Sequence, residues 1–95
     1  MKSINVLGNT YKVKFVQNHS FMENEENTGE CNFSDKIIRV AKTSYDIENS
    51  EEWQQETLLH EIAHAFLYES GQSDLNDERH AELLGKFASF ILKKI

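Results

Sequence analysis

The sequence predicts an α+β domain, and three observations carry that prediction. Apolar residues alternate with polar ones from Ile4 to Phe15, which is the period of strands. From Ser50 onward they recur at helical spacing. No repeat or low-complexity tract interrupts the chain, and it contains no proline. The simplest arrangement is an N-terminal antiparallel or mixed β-sheet of three or four strands packed on two C-terminal α-helices. With 95 residues the chain makes one domain, 1-95, expected as a β-sheet part at 1-42, a first helix at 50-70 and a C-terminal helix at 77-94.

Each element has its own signal. Ile4 and Val6, then Tyr11, Val13 and Phe15, alternate with polar residues on either side of Gly8-Asn9, the pattern of a hairpin with one buried face. From Gln17 to Glu30 the periodicity vanishes, and Asn and Glu dominate around Phe21 and Met22. This stretch reads as a long acidic loop, either functional or a solvated connector. Cys31-Asn32-Phe33 and Lys36 to Ala41 form a second hairpin about Ser34-Asp35, with Cys31 as a small strand residue facing the core. Ser50 is a good N-cap with Glu51 and Glu52 in the positive first turn, and this helix runs to about Ser70, where Gly71 suits the C-cap. Gln72 to Asn76 is a turn. The last helix, from about Asp77 to Lys93, carries Leu83, Leu84, Phe87, Ala88, Ile91 and Leu92. That Leu/Phe face is expected to pack against the sheet and the first helix.

Composition excludes several functions. Sixteen acidic residues oppose ten basic ones, for a net charge of -6, and the largest basic cluster is Lys93-Lys94. Nucleic acid and anionic membranes are therefore not expected as partners. A single cysteine allows no intrachain disulfide and does not imply oxidising export. No apolar run approaches a membrane span, and the start is too short and polar for a signal peptide, so a cytoplasmic location is expected. Oligomeric state is not fixed by the sequence.

The chemistry lies in His60-Glu61-Ile62-Ala63-His64. Histidines four apart on a helix share one face, about 5–6 Å apart at Cβ, close enough to grip one metal ion. Glu61 sits at the rim of that face, where it can take a proton from a water held by the metal. The neighbours Thr57-Leu58-Leu59 and Ala65-Phe66-Leu67 are uncharged and packable, as a zinc-holding helix in a dry cleft requires. A catalytic zinc needs a third protein ligand, and the second helix offers Glu78, His80 and Glu82. Glu78 and Glu82 share a face one turn apart, which suits a ligating carboxylate with a second acid orienting an imidazole. His80 points about 160° away, towards Leu84, Phe87 and Ile91. Tyr68 reads as a packing residue and His19 as solvated.

Thr57 through Ala65, then Tyr68-Glu69-Ser70-Gly71, Asp77-Glu78-Arg79 and Leu84-Gly85, resemble the small phage-associated zincin-type metallopeptidases, relatives of the ImmA/IrrE and SprT-like groups. The resemblance is convincing over about half the chain. It implies a small zincin-like fold, a zinc cofactor, and hydrolysis of a peptide or protein substrate with Glu61 as general base. Glu78-Arg79-His80-Ala81-Glu82 is similar to the gluzincin arrangement in which a glutamate, followed four residues on by an acid, completes the site. That likeness favours His60, His64 and Glu78 as ligands. It also implies that the edge strand before the motif helix, placed at Lys36 to Ala41, lines the cleft and pairs with substrate.

The rival function is a non-enzymatic zinc-containing module that binds another protein, with the acidic loop as its contact surface. A purely structural zinc site closes with four ligands, usually including cysteines. Cys31 lies far from the motif in sequence, which favours an open site.

Overall fold

The computed structural model describes residues 2–17, 29–44 and 47–94. Four strands, β1 (Lys2–Val6), β2 (Asn9–Val16), β3 (Gly29–Asn32) and β4 (Ile37–Ala41), precede two helices, α1 (Glu51–Glu69) and α2 (Glu78–Lys94). The sheet is mixed, in the order β1-β2-β4-β3: β4 runs parallel to β2, and the other two pairings are antiparallel. Two short segments, β5 (Thr43–Ser44) and β6 (Ile47–Glu48), pair antiparallel between the sheet and α1. No helix among the described residues is long and apolar enough to cross a membrane. Residues 18–28, which hold most of the acidic loop and His19, lie outside the described residues, whereas Gly29 and Glu30 belong to β3.

The alternation builds one core face. Register places Ile4 opposite Tyr11, Val13 beside Ile38 and Ile38 beside Cys31, and Phe15 beside Val40 and Val40 beside Gly29. Successive side chains of a strand point to opposite faces, so these rows share one side of the sheet. Tyr11, Ile38, Val40 and Ala65 are completely buried there, with Leu58 and Ile62 of α1 packed against them. The Tyr11 hydroxyl donates to Glu69 at 2.6 Å, and Lys36 reaches the same carboxylate oxygen at 2.7 Å. This ties the last turn of α1 to the sheet.

Three expectations need correction. The first turn is Leu7-Gly8 rather than Gly8-Asn9: both have positive φ, 51° and 90°, and Val6 pairs with Asn9. A tight hairpin of this twist requires left-handed backbone at both central positions, and Asn5 supports it by accepting the Gly8 N–H at 2.8 Å. The strand at Lys36 to Ala41 is not an edge. β4 lies between β2 and β3, and its nearly continuous apolar run, with Ile38, Val40 and Ala41 buried, is what an interior strand requires. The edge beside α1 is β3.

The third correction concerns α2. Its Leu/Phe face does not pack on the sheet; Ala81 and Gly85 are its buried residues, and Leu83, Phe87 and Phe90 are exposed. A Cβ at Gly85 would lie 3.1 Å from the His60 Cα. At so close a crossing only small side chains fit between the helices, and the large ones turn outward.

The helix ends follow their local chemistry. Ser50 Oγ accepts the Trp53 N–H at 3.1 Å. At the other end, Gly71 has φ 80°. Gln72 N–H donates to the Leu67 carbonyl at 2.9 Å and Gly71 N–H to that of Tyr68 at 3.2 Å, the paired bonds of a glycine-terminated helix. Asp77 caps α2 by accepting the His80 N–H at 2.8 Å.

Candidate metal centre

Antiparallel packing of α1 and α2 brings residues far apart in sequence to one point. His60 and His64 project from the same side of α1, their ring centroids 5.0 Å apart. The first turn of α2 faces them. Glu78 places Oε2 3.0 Å from His60 Nε2 and Oε1 2.9 Å from His64 Nε2. One donor atom from each of His60, His64 and Glu78 lies within 4.8 Å of the others, so the three could hold a metal ion.

The outer ring nitrogens explain why such a group should attract a cation. His60 Nδ1 is 3.1 Å from Glu82 Oε2, and His64 Nδ1 is 2.6 Å from Asn76 Oδ1. Both partners are acceptors, so each Nδ1 carries the hydrogen. In the neutral imidazole Nε2 is then a bare lone pair, and here both lone pairs face a carboxylate. That arrangement is favourable only with a positive charge between them, either a proton or a metal ion. The donor set fits a divalent ion such as zinc.

Glu61 occupies a different environment from Glu78. It is 8% exposed, the one charged side chain buried among the described residues, whereas the Glu78 side chain is 83% exposed. Burial pushes the Glu61 carboxyl up to about 7; the His64 and His60 rings oppose that rise, and Glu78 and Glu30 add to it. Gly29 of β3 lies directly over it, and a Cβ there would fall 2.8 Å from Glu61 Oε2 and from Thr57 Cγ2. The edge strand thus approaches the carboxylate as closely as a glycine permits.

A cleft of about 680 Å³ opens over these groups, between β3 and the two helices, with Glu30, Phe33 and Trp53 on its walls. Cys31 also lines it. Burial, followed by the nearby carboxylates Glu61, Glu69 and Glu30, pushes its thiol up to about 12, so it is not a nucleophile.

Of the candidates on α2, Glu78 meets both histidines and Glu82 meets the back of His60. His80 does not enter the site: its Nδ1 pairs with Asp77 at 2.8 Å at the start of the helix. Tyr68 stacks on Phe33, ring centroids 4.4 Å apart. The sequence alone does not single out Asn76 or Gly29. Asn76 sits in the turn before α2 with φ -85° and ψ 69°, and nothing in its neighbours marks it as a partner for His64. The signal for Gly29 was available, a glycine entering a strand, which often marks a close approach.

No curated protein and no solved structure matches the chain. A family model does, across residues 3–85, a span that includes the sheet, the motif helix and the first half of α2. The chain belongs to the SprT-like family.

Proposed function

We propose that this protein is a zinc-dependent metallopeptidase in which His60, His64 and Glu78 hold the ion and Glu61 is the general base. The observation that carries the reading is the convergence of those three side chains beside a buried carboxylate in an open cleft. When bound there, zinc supplies Lewis acidity and makes water acidic enough to ionise near neutral pH. Glu61 takes the proton from the attacking water and passes it to the leaving amine. Its burial raises its basicity, and the two imidazoles favour its ionised form, which together set it near the working range of a base at neutral pH. Glu82 and Asn76 hold the imidazoles with Nε2 turned inward.

The substrate lies along β3. Among the described residues this strand has a neighbour on one side only, β4, so its other edge offers unpaired backbone to an extended peptide. Gly29, Glu30 and Cys31 all line the cleft. This takes over the role first expected of Lys36 to Ala41. The three-residue donor group, with Cys31 outside it, supports an open catalytic site over the rival structural one.

The test is Glu61→Gln assayed on a peptide library with metal measured in parallel. Hydrolysis should fall to background while the metal content stays at that of the wild type. Unchanged turnover would remove Glu61 as the base.

A further inference from the structure

Six large apolar side chains of α2 are exposed; Leu92, at 47%, stands apart, and the other five share one stripe centred opposite Gly85 by helical spacing. Leu83 is 67% exposed, Phe87 62%, Phe90 57%, Ile91 40% and Leu84 37%. Ala81 and Gly85 occupy the opposite side, against α1. The outward residues are not scattered. They follow the spacing that a helix uses to face another helix, with Leu83, Leu84, Phe90 and Ile91 at the seam positions either side of Phe87.

The pattern is also palindromic. Counted from Phe87, apolar residues stand three and four positions before it and three and four positions after it. Such a stripe is complementary to itself when a second copy is laid antiparallel across a two-fold axis. Phe87 then meets the partner's Phe87, Leu83 meets the partner's Ile91, and Leu84 meets the partner's Phe90. From the fractional exposures, and about 200 Å² for a large side chain, the stripe offers about 500 Å² of apolar surface per chain. That is at the upper end of what an isolated soluble domain usually exposes in one patch, roughly 300–600 Å². Two copies together remove about 1,000 Å², the least that a specific interface needs.

We propose that the outer face of α2 is the interface of a two-fold symmetric homodimer. The occupant is a second copy because the stripe repeats itself about its own centre, which an unrelated partner would not require. Glu78 and Glu82 lie on the other side of the helix, at His60 and His64. Phe90 borders a groove that His60 and Glu82 also line, but none of the five side chains lines the cleft over Glu61 and Glu78; the dimer leaves that cleft open, and the inference stands independently of the peptidase reading.

The experiment is sedimentation equilibrium of the full chain from micromolar to near-millimolar concentration, for the wild type and Phe87→Glu, with zinc content measured on each. One chain is 11.0 kDa. The wild type should approach twice that mass, and Phe87→Glu should remain at the single-chain mass with the same zinc content and circular dichroism. If Phe87→Glu does not fold, Phe87→Cys in a Cys31→Ser background replaces it. On the axis the two thiols should link chain to chain on mild oxidation, while Ser89→Cys, on the α1 side, should not. A wild type that stays at the single-chain mass, or forms an open series of larger assemblies, overturns the proposal. So does a Phe87→Glu protein that keeps the doubled mass.

Discussion

Replacing Glu61 by Gln should stabilise the metal-free protein at neutral and alkaline pH, and the size of that gain follows from where the carboxylate sits. Its pKa is about 7 in the fold against an ordinary 4.5, chiefly because burial disfavours the charged form. Below about pH 4.5 the group is protonated in both the folded and unfolded chains and costs nothing. As pH rises towards 7 the unfolded chain gives up its proton while the fold retains it, so stability is progressively lost; above about 7 the loss is complete and constant. At about 1.4 kcal/mol per pKa unit the total is about 3 kcal/mol. Urea unfolding followed by circular dichroism, with chelator present, from pH 4.5 to 9, gives the difference between wild type and Glu61→Gln. Any pH-independent effect of the new amide shifts the whole difference curve and leaves its slope intact. The curve should rise by about 3 kcal/mol between the two pKa values and then flatten. Saturating zinc, a positive charge close to the carboxylate, should reduce the slope in the wild type. Parallel curves in the absence of metal would mean that Glu61 ionises as freely in the fold as in water, and the argument from burial would fail.

Gly29→Ala should damage catalysis more than folding. The added methyl would lie 2.8 Å from Thr57 Cγ2 and from Glu61 Oε2, and the carboxylate, at the end of the longer side chain, is the one that yields. An overpacking cost of about 1–3 kcal/mol should accompany a fall in turnover of roughly tenfold to a hundredfold, with metal content unchanged; equal turnover would show that Glu61 does not need its present position. Asn76→Ala should weaken zinc binding about 10–100-fold, because His64 loses the acceptor that holds its Nδ1 hydrogen. Asn76→Asp, which keeps an acceptor there, should restore it. Competition against a chromophoric chelator reads both, and identical affinities for Ala and wild type would assign Asn76 no part in the site.

What the sequence revealed and what it hid divide along a physical line. His60 and His64 were legible because a helix turns local spacing into geometry: four residues apart means one face. The strands were legible for the same reason, and Ile4, Tyr11, Val13 and Phe15 share a face because alternation places them there. The errors arose where the answer depends on a partner distant in sequence. Lys36 to Ala41 has the same local signal whether it lies at an edge or in the middle, and only the docking of β4 between β2 and β3 decides which. Asn76 reaches His64 across a turn and a helix start, a relation that neither spacing nor composition encodes.

The second helix carries the argument furthest. Its hydrophobic periodicity marks an apolar stripe but does not require that the stripe be buried within the chain. Periodicity identifies which residues share a face; it does not say what that face meets. The residues that decide this are the small ones. Gly85 and Ala81 allow α2 to approach the backbone of α1 at His60, and that approach brings Glu78 and Glu82 within hydrogen-bond distance of the histidines. Had Phe87 and Phe90 faced inward instead, the helices would stand farther apart and the carboxylates would fall short of the imidazoles. The exposed stripe and the convergence of Glu78 on the histidines are consequences of one packing choice, so a substitution that draws the large side chains inward should separate Glu78 from His60 and His64 as it buries the stripe.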